Sequence, residues 1–108
     1  MYNQECKLDA GKLRLSLVPT GVITAIAKVR QWATENKYSD PNNWKEVETS
    51  RYIDAMFRHM IRFLDDPDGV DDETGLPHLY HLATNVAFLC DRAEKSEKKG
   101  TLPWNSQD

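Results

Sequence analysis

The residues able to do chemistry are concentrated between positions 54 and 85. All three histidines of the chain, His59, His78 and His81, fall there. An imidazole can ligate a metal, act as a general base near neutral pH, or hold a phosphate. His78, His81 and Asn85 follow i, i+3, i+7 spacing, which puts them on one helix face. That face lies beside an apolar stripe through Leu79, Leu82 and Val86, so both histidines are expected on an exposed polar flank. Just upstream, Asp65, Asp66, Asp68, Asp71, Asp72 and Glu73 crowd one short window. Carboxylates this close repel one another, and a hard divalent cation would relieve that repulsion. The window is not an EF-hand. With Gly69 at the sixth loop position, the first and twelfth fall on Leu64 and Gly75, which have no side-chain oxygen to offer. Asp71 and Glu73, just ahead of the third predicted helix, are the favoured ligands. Asp65, Asp66 and Asp68 equally suit a solvated loop.

A second group lies on the second predicted helix. Arg51, Asp54 and Arg58 share a face at i, i+3, i+7, with His59 beside them. Such a row also suits a surface salt-bridge ladder of little energetic consequence. If the third helix packs antiparallel to the second, Asp54, His59, His78 and His81 can converge. One carboxylate, several imidazoles and two guanidinium groups suit a metal-bound phosphate ester. Lys12 and Arg14 flank a glycine-containing lead-in that lacks P-loop spacing but could still reach a polyphosphate. Lys37-Tyr38 and Asn43-Trp44 offer a cation, two aromatics and an amide, able to stack on a nucleobase and read its edge. Packing of Trp44 at a helix start is the equal alternative.

Three amphipathic helices must position these residues. Val22, Ile23, Ile26, Ala27, Val29 and Ala33 predict a helix from Thr20 to Lys37, with Pro19 at its entry. Ile53, Met56, Phe57, Met60, Ile61 and Leu64 keep helical spacing without a miss and predict a helix from Lys45 to Leu64. Leu79, Leu82, Ala83, Val86 and Leu89 predict a third from Leu76 to Glu97, with Thr74 as a cap and Pro77 in the first turn. Residues 1–19 read as an extended lead-in with Leu13, Leu15 and Leu17 on one face. Residues 94–108 read as a mobile charged tail. The expected architecture is all-α: one domain over residues 1–108, an antiparallel bundle of three main helices. Three helices leave one side poorly covered, so completion by a homodimer or higher homo-oligomer is expected.

Composition narrows the classes. The 108 residues are 40% hydrophobic and 29% charged with a net charge of −3, which fits a globular domain and supplies no basic field for duplex nucleic acid. No apolar run approaches a membrane span, and the start MYNQECKLDAGK has no apolar signal region, so a cytoplasmic location is expected, with Cys6 and Cys90 reduced. CxxC, GxSxG and HExxH are all absent, which removes thiolate zinc, serine-hydrolase and zincin readings.

The segments KLDAGKLRLSLVP, NKY, NNW, RYIDAMFRHMIRFL and DDETGLPHLYHLATNVAFL together resemble the small phage and prophage dATP/dGTP diphosphohydrolase domain. That domain is similar to the MazG-type all-α nucleoside triphosphate pyrophosphatases. The resemblance runs from Lys7 to Leu89 and is most specific at Arg58-His59 and from Asp71 to His81. It implies hydrolysis of dATP or dGTP to monophosphate and pyrophosphate in the host cytoplasm, with magnesium, or alternatively manganese, as cofactor. On that reading Asp54, Asp71 and Glu73 bind metal, and His59, His78 and His81 are catalytic. Lys12, Arg14, Lys37, Trp44, Arg51, Arg58 and Asn85 bind the nucleotide. The sequence departs from the MazG pattern in lacking an ExxE row on the first helix, where Glu35 stands alone. The competing expectation is a non-catalytic helical module that binds nucleotide or a host factor.

Overall fold

The computed structural model describes residues 11–99, and these form three α-helices: α1 (Thr20–Asn36), α2 (Thr49–Asp65) and α3 (His78–Lys99). Short 3-10 turns lie at Leu15–Leu17 and Asn43–Glu46. The fold is all-α. Helix α3 is the spine, packed against both α1 and α2. Tyr52 meets Phe88 at one end of the α2–α3 contact (ring centroids 4.8 Å apart), and His59 meets His78 at the other (5.2 Å), so these two helices run antiparallel. No helix among the described residues is long and apolar enough to cross a membrane. The first part of the lead-in, with Cys6, and the end of the charged tail, with Trp104, lie outside the described residues.

The first helix starts at Thr20 as expected, with Pro19 at its N-cap, where a fixed φ of −57° suits entry. The second begins later than Lys45. Val47 and Glu48 are extended, and residues 43–46 form a separate 3-10 turn. The cause is Arg92 of α3. Its guanidinium donates to the carbonyls of Trp44 (3.2 Å), Lys45 (3.5 Å) and Val47, and to Thr49 Oγ1 (2.8 Å). Tyr52 Oη also donates to the Trp44 carbonyl. These donors satisfy carbonyls that a continuous helix would have used internally. The lead-in also differs from expectation. Leu15–Leu17 form a tight turn, and Leu13, Leu15 and Leu17 are all exposed, so they build no common buried face.

The apolar stripes do not face inward as a simple amphipathic reading requires. On α2 the buried residues are Thr49 and Tyr52, while Phe57, Ile61 and Leu64 are exposed. On α3, Leu79 and Val86 are exposed, and the buried positions are His78 and Thr84. The side of α3 that meets α2 and the space between the helices carries His78, His81, Phe88 and Arg92. Among the described residues the core proper is small, with Ala25, Val29 and Tyr52 as its buried apolar residues. Polar ties therefore hold the α2 entry in place. Removing Arg92 leaves up to three acceptors unpaired, since the Trp44 carbonyl keeps Tyr52 Oη and Val47 N, so Arg92→Ala should lower unfolding stability by about 2–3 kcal/mol in urea titration. Lysine should not restore it, because an ammonium cannot span the fork. A change within about 0.5 kcal/mol, the ordinary range of surface substitutions, would show that the clasp is incidental.

Candidate functional site

The loop between α2 and α3 is a closed hairpin-like structure. Val70 and Pro77 form an antiparallel bridge, Asp71 N donates to the Leu76 carbonyl (2.8 Å), and His78 N donates to the Gly69 carbonyl (3.1 Å). Gly75 adopts φ +70°, a conformation that a side chain would strain, and its N–H closes back on the Asp71 carbonyl at 2.8 Å. Inside this loop Asp71 Oδ2 accepts from the N–H groups of Glu73 and Thr74, both at 3.0 Å. The Thr74 hydroxyl accepts from Leu76 N (3.1 Å) and pairs with His81 Nε2 (2.7 Å). Thr74 thus orders the loop and orients an imidazole; α3 begins at His78, two residues later than the expected Leu76, and Thr74 does not cap it.

The three histidines converge. His59 Nδ1 and His78 Nδ1 are 3.0 Å apart, and the His59 and His81 rings stack at 4.7 Å, 14° from parallel. His78 is buried, at 7% exposure, and His81 is half-buried. This corrects the expectation of two exposed helix histidines. The i, i+3, i+7 face bearing them turns toward α2, and the neighbouring leucine stripe turns partly outward. Burial, with the neighbouring His81, His78 and Arg58, pushes the His59 pKa down to about 4 despite the opposing Asp71 carboxylate. Burial likewise lowers His81, against the pull of Asp71. Burial works to raise the Asp71 carboxyl. The Thr74 N–H, His81, the Glu73 N–H and His59 outweigh it and hold Asp71 below the usual carboxylate value.

Beside this cluster lies a cleft of about 510 Å³ between α1 and α2, floored by α3. Thr74 and His81 lie at its rim with the loop; Arg51, Asp54 and Arg58 line the α2 side. Four cations, Arg30, Lys37, Arg51 and Arg58, face three carboxylates, Asp40, Asp54 and Glu73. The balance modestly favours an anion. No ion pair joins Arg51, Asp54 and Arg58 among the described residues, so this row is not a salt-bridge ladder; Lys37 pairs with Glu73 at 3.0 Å. Asn85 lines the cleft and donates to the His81 carbonyl at 2.8 Å.

Trp44 lines the cleft too, yet its ring stacks on Phe88 at 4.7 Å with Lys45 and Lys95 each 5.9 Å from its centroid. Tyr38, also in the cleft, is the more open aromatic at 44% exposure. Lys12 and Arg14 are exposed and do not line this cleft.

Of the three carboxylates expected to bind metal, Asp71 alone belongs to a ligand cluster, and its companions are His59 and His78. Asp54 stands apart on α2, and Glu73 is turned toward Lys37. A set with two nitrogen donors does not fit magnesium, which prefers oxygen ligands. Sequence reasoning missed Thr74 as the partner of His81, and Arg30, Arg92 and Phe88 around the aromatic end. A polar residue at helical spacing from His78 and His81, namely Arg92, was the available signal.

The depressed histidines carry a pH signature. His59 titrates near 4 in the fold and near its ordinary 6.5 in the unfolded chain. Between those values the unfolded chain binds a proton that the native state refuses. Its stabilising contribution is complete above pH 6.5 and is lost as pH falls toward 4. His81 acts in the same direction. In chelator-treated protein the urea midpoint should decline across this window, and His59→Gln should flatten the decline. An identical pH slope in that variant would contradict the assignment.

The sequence model of the family described as dATP/dGTP diphosphohydrolase, N-terminal, matches residues 2–101. A dATP/dGTP diphosphohydrolase of Salmonella phage PMBT28 is 36% identical over 83 residues, covering 77% of this chain and 28% of that protein. The chain thus spans little more than a quarter of this relative's length. No solved structure matches.

Proposed function

The chain belongs to the dATP/dGTP diphosphohydrolase N-terminal family, and from that premise we propose that its cleft binds a deoxypurine nucleoside triphosphate and hydrolyses it to monophosphate and pyrophosphate. The observation that carries the proposal is the joining of a cation-lined cleft to the His81–Thr74 pair, with His59, Asp71 and His78 beside it. Arg51 and Arg58 neutralise phosphate charge, which grows on the leaving oxygens as the bond breaks. The open ring of Tyr38 supplies a stacking surface for the base, with the Trp44–Phe88 stack as a rigid wall. His81, kept neutral by burial, accepts a proton from water as the water oxygen bonds to the α-phosphorus. The α–β bridging bond then breaks and pyrophosphate departs. A divalent cation is part of the proposal; of the two the resemblance implies, manganese suits the His59, Asp71 and His78 donors better than magnesium, and when bound it would polarise the phosphate oxygens. The reaction is placed in the host cytoplasm.

A second reading is a non-catalytic nucleotide-binding or phage–host interaction module. It draws support from the 28% of the phage relative that this chain matches, which leaves most of that protein unrepresented here. Pyrophosphate release across a panel of dNTPs separates the two. The wild type should release pyrophosphate preferentially from dATP or dGTP. His81→Ala should slow turnover by roughly tenfold or more, the scale of losing a positioned base, while circular dichroism stays unchanged. No release from any dNTP with Mg²⁺ or Mn²⁺ present would favour the binding module.

A homodimer also belongs to the proposal. Phe57, Ile61 and Leu64 are 49%, 55% and 68% exposed along one side of α2, a contiguous apolar strip that a second copy would cover. Light scattering at micromolar concentration should give twice the monomer mass, and Ile61→Glu should shift the population toward monomer. A monomeric wild type would contradict this.

A further inference from the structure

The His59, Asp71 and His78 side chains each offer a ligand atom, and these atoms all lie within 4.8 Å of one another. The two Nδ1 atoms are 3.0 Å apart. Two nitrogens each roughly 2.1 Å from one ion, at angles between about 90° and 109°, stand about 3.0–3.4 Å apart. The pair therefore already has the spacing of two donors on a shared metal. A hydrogen bond sharing one proton between the rings would give the same distance; the carboxylate of Asp71 within the same few ångströms is what completes a ligand set.

The three donors come from separate segments, and the fold fixes two of them through the same loop. His59 projects from α2. His78 is the first residue of α3, held by its N–H on the Gly69 carbonyl next to the Val70–Pro77 bridge. Asp71 is oriented by two backbone N–H groups, both on Oδ2, which leaves Oδ1 without a hydrogen-bond partner among the described residues. An oriented carboxylate with a spare oxygen and two imidazoles is a two-histidine, one-carboxylate donor set, which suits metals of intermediate softness.

We propose that His59, Asp71 and His78 form a binding site for a borderline transition metal, of the class of Mn²⁺, Fe²⁺, Co²⁺ or Zn²⁺, in preference to magnesium. Three protein ligands leave coordination positions open for water or for oxygens of a bound anion. Next to the site, His81 stacks on His59 and faces the cleft. The site stands on its donor geometry and does not require that the cleft hydrolyse anything.

The test uses the full chain, freed of metal by chelation and without nucleotide. Co²⁺ is titrated in and its visible d–d absorption is followed. A saturable band should grow in to one equivalent, be displaced by one equivalent of Zn²⁺, and survive millimolar Mg²⁺. His78 is buried, so the diagnostic variants are His59→Gln and Asp71→Asn, each checked by circular dichroism. Each should weaken Co²⁺ binding by at least about tenfold, while Asp66→Asn and Asp68→Asn leave it unchanged. Absence of the band at millimolar Co²⁺, its displacement by equimolar Mg²⁺, or unaltered affinity in the folded His59 and Asp71 variants would overturn the site. Because the readout is absorption, a band without pyrophosphate release would uphold the site and count against the hydrolysis alone. Pyrophosphate release without a band would do the reverse.

Discussion

The carboxylate of Asp71 is the interaction on which the site depends. By accepting the N–H groups of Glu73 and Thr74 it folds the loop back on itself, as Asx-type turns do. The closed loop then places three things at once. The Thr74 hydroxyl is set against His81, His78 is delivered to the first turn of α3, and the carboxylate itself lies among the imidazoles. Gly75 completes the loop because a positive φ is needed where its N–H returns to the Asp71 carbonyl. A substitution at Asp71 would therefore disturb position and charge together, which is why substitutions at His59 and His81 separate these roles more cleanly.

A second constraint runs through α3, whose inward side is largely polar or aromatic. His78, His81 and Asn85 serve one end of that side, and Phe88 and Arg92 the other. Burying such groups is costly unless they are paired, and here they are. No buried side-chain nitrogen or oxygen lacks a partner among the described residues. Polar matching does at the helix interfaces part of what apolar packing does in most small domains. The consequence is a small apolar core and a displaced apolar surface on the outside of α2, where a partner copy would recover the burial that the lone chain forgoes.

Much of this was legible in the sequence. The three helices follow from apolar periodicity. The convergence of His59, His78 and His81 follows from antiparallel packing of the second and third helices, since positions near the end of one then oppose the start of the next. The separation of Asp71 from the solvated Asp65, Asp66 and Asp68 followed from its place ahead of α3. What periodicity could not reveal is which side of an amphipathic helix turns inward when the polar side has partners. Leu79 and Val86 follow a regular stripe and are nevertheless exposed, because His78 and Thr84 are satisfied inside. The late start of α2 was hidden for a similar reason. It is set by Arg92, distant in sequence, and local propensity carries no trace of that clasp. Lys12 and Arg14 were grouped with the substrate-binding residues on charge alone, and the fold leaves them away from the cleft.

The central claim is that the cleft beside the histidine cluster receives a nucleoside triphosphate with its phosphates toward His81. A crystal structure with a non-hydrolysable dATP or dGTP analogue tests this most directly. The account predicts phosphate oxygens within hydrogen-bonding distance of Arg51 and Arg58, the α-phosphate beside His81, and the base against Tyr38. An analogue bound elsewhere on the chain, or bound in the cleft with its phosphates pointing away from His81, would contradict it.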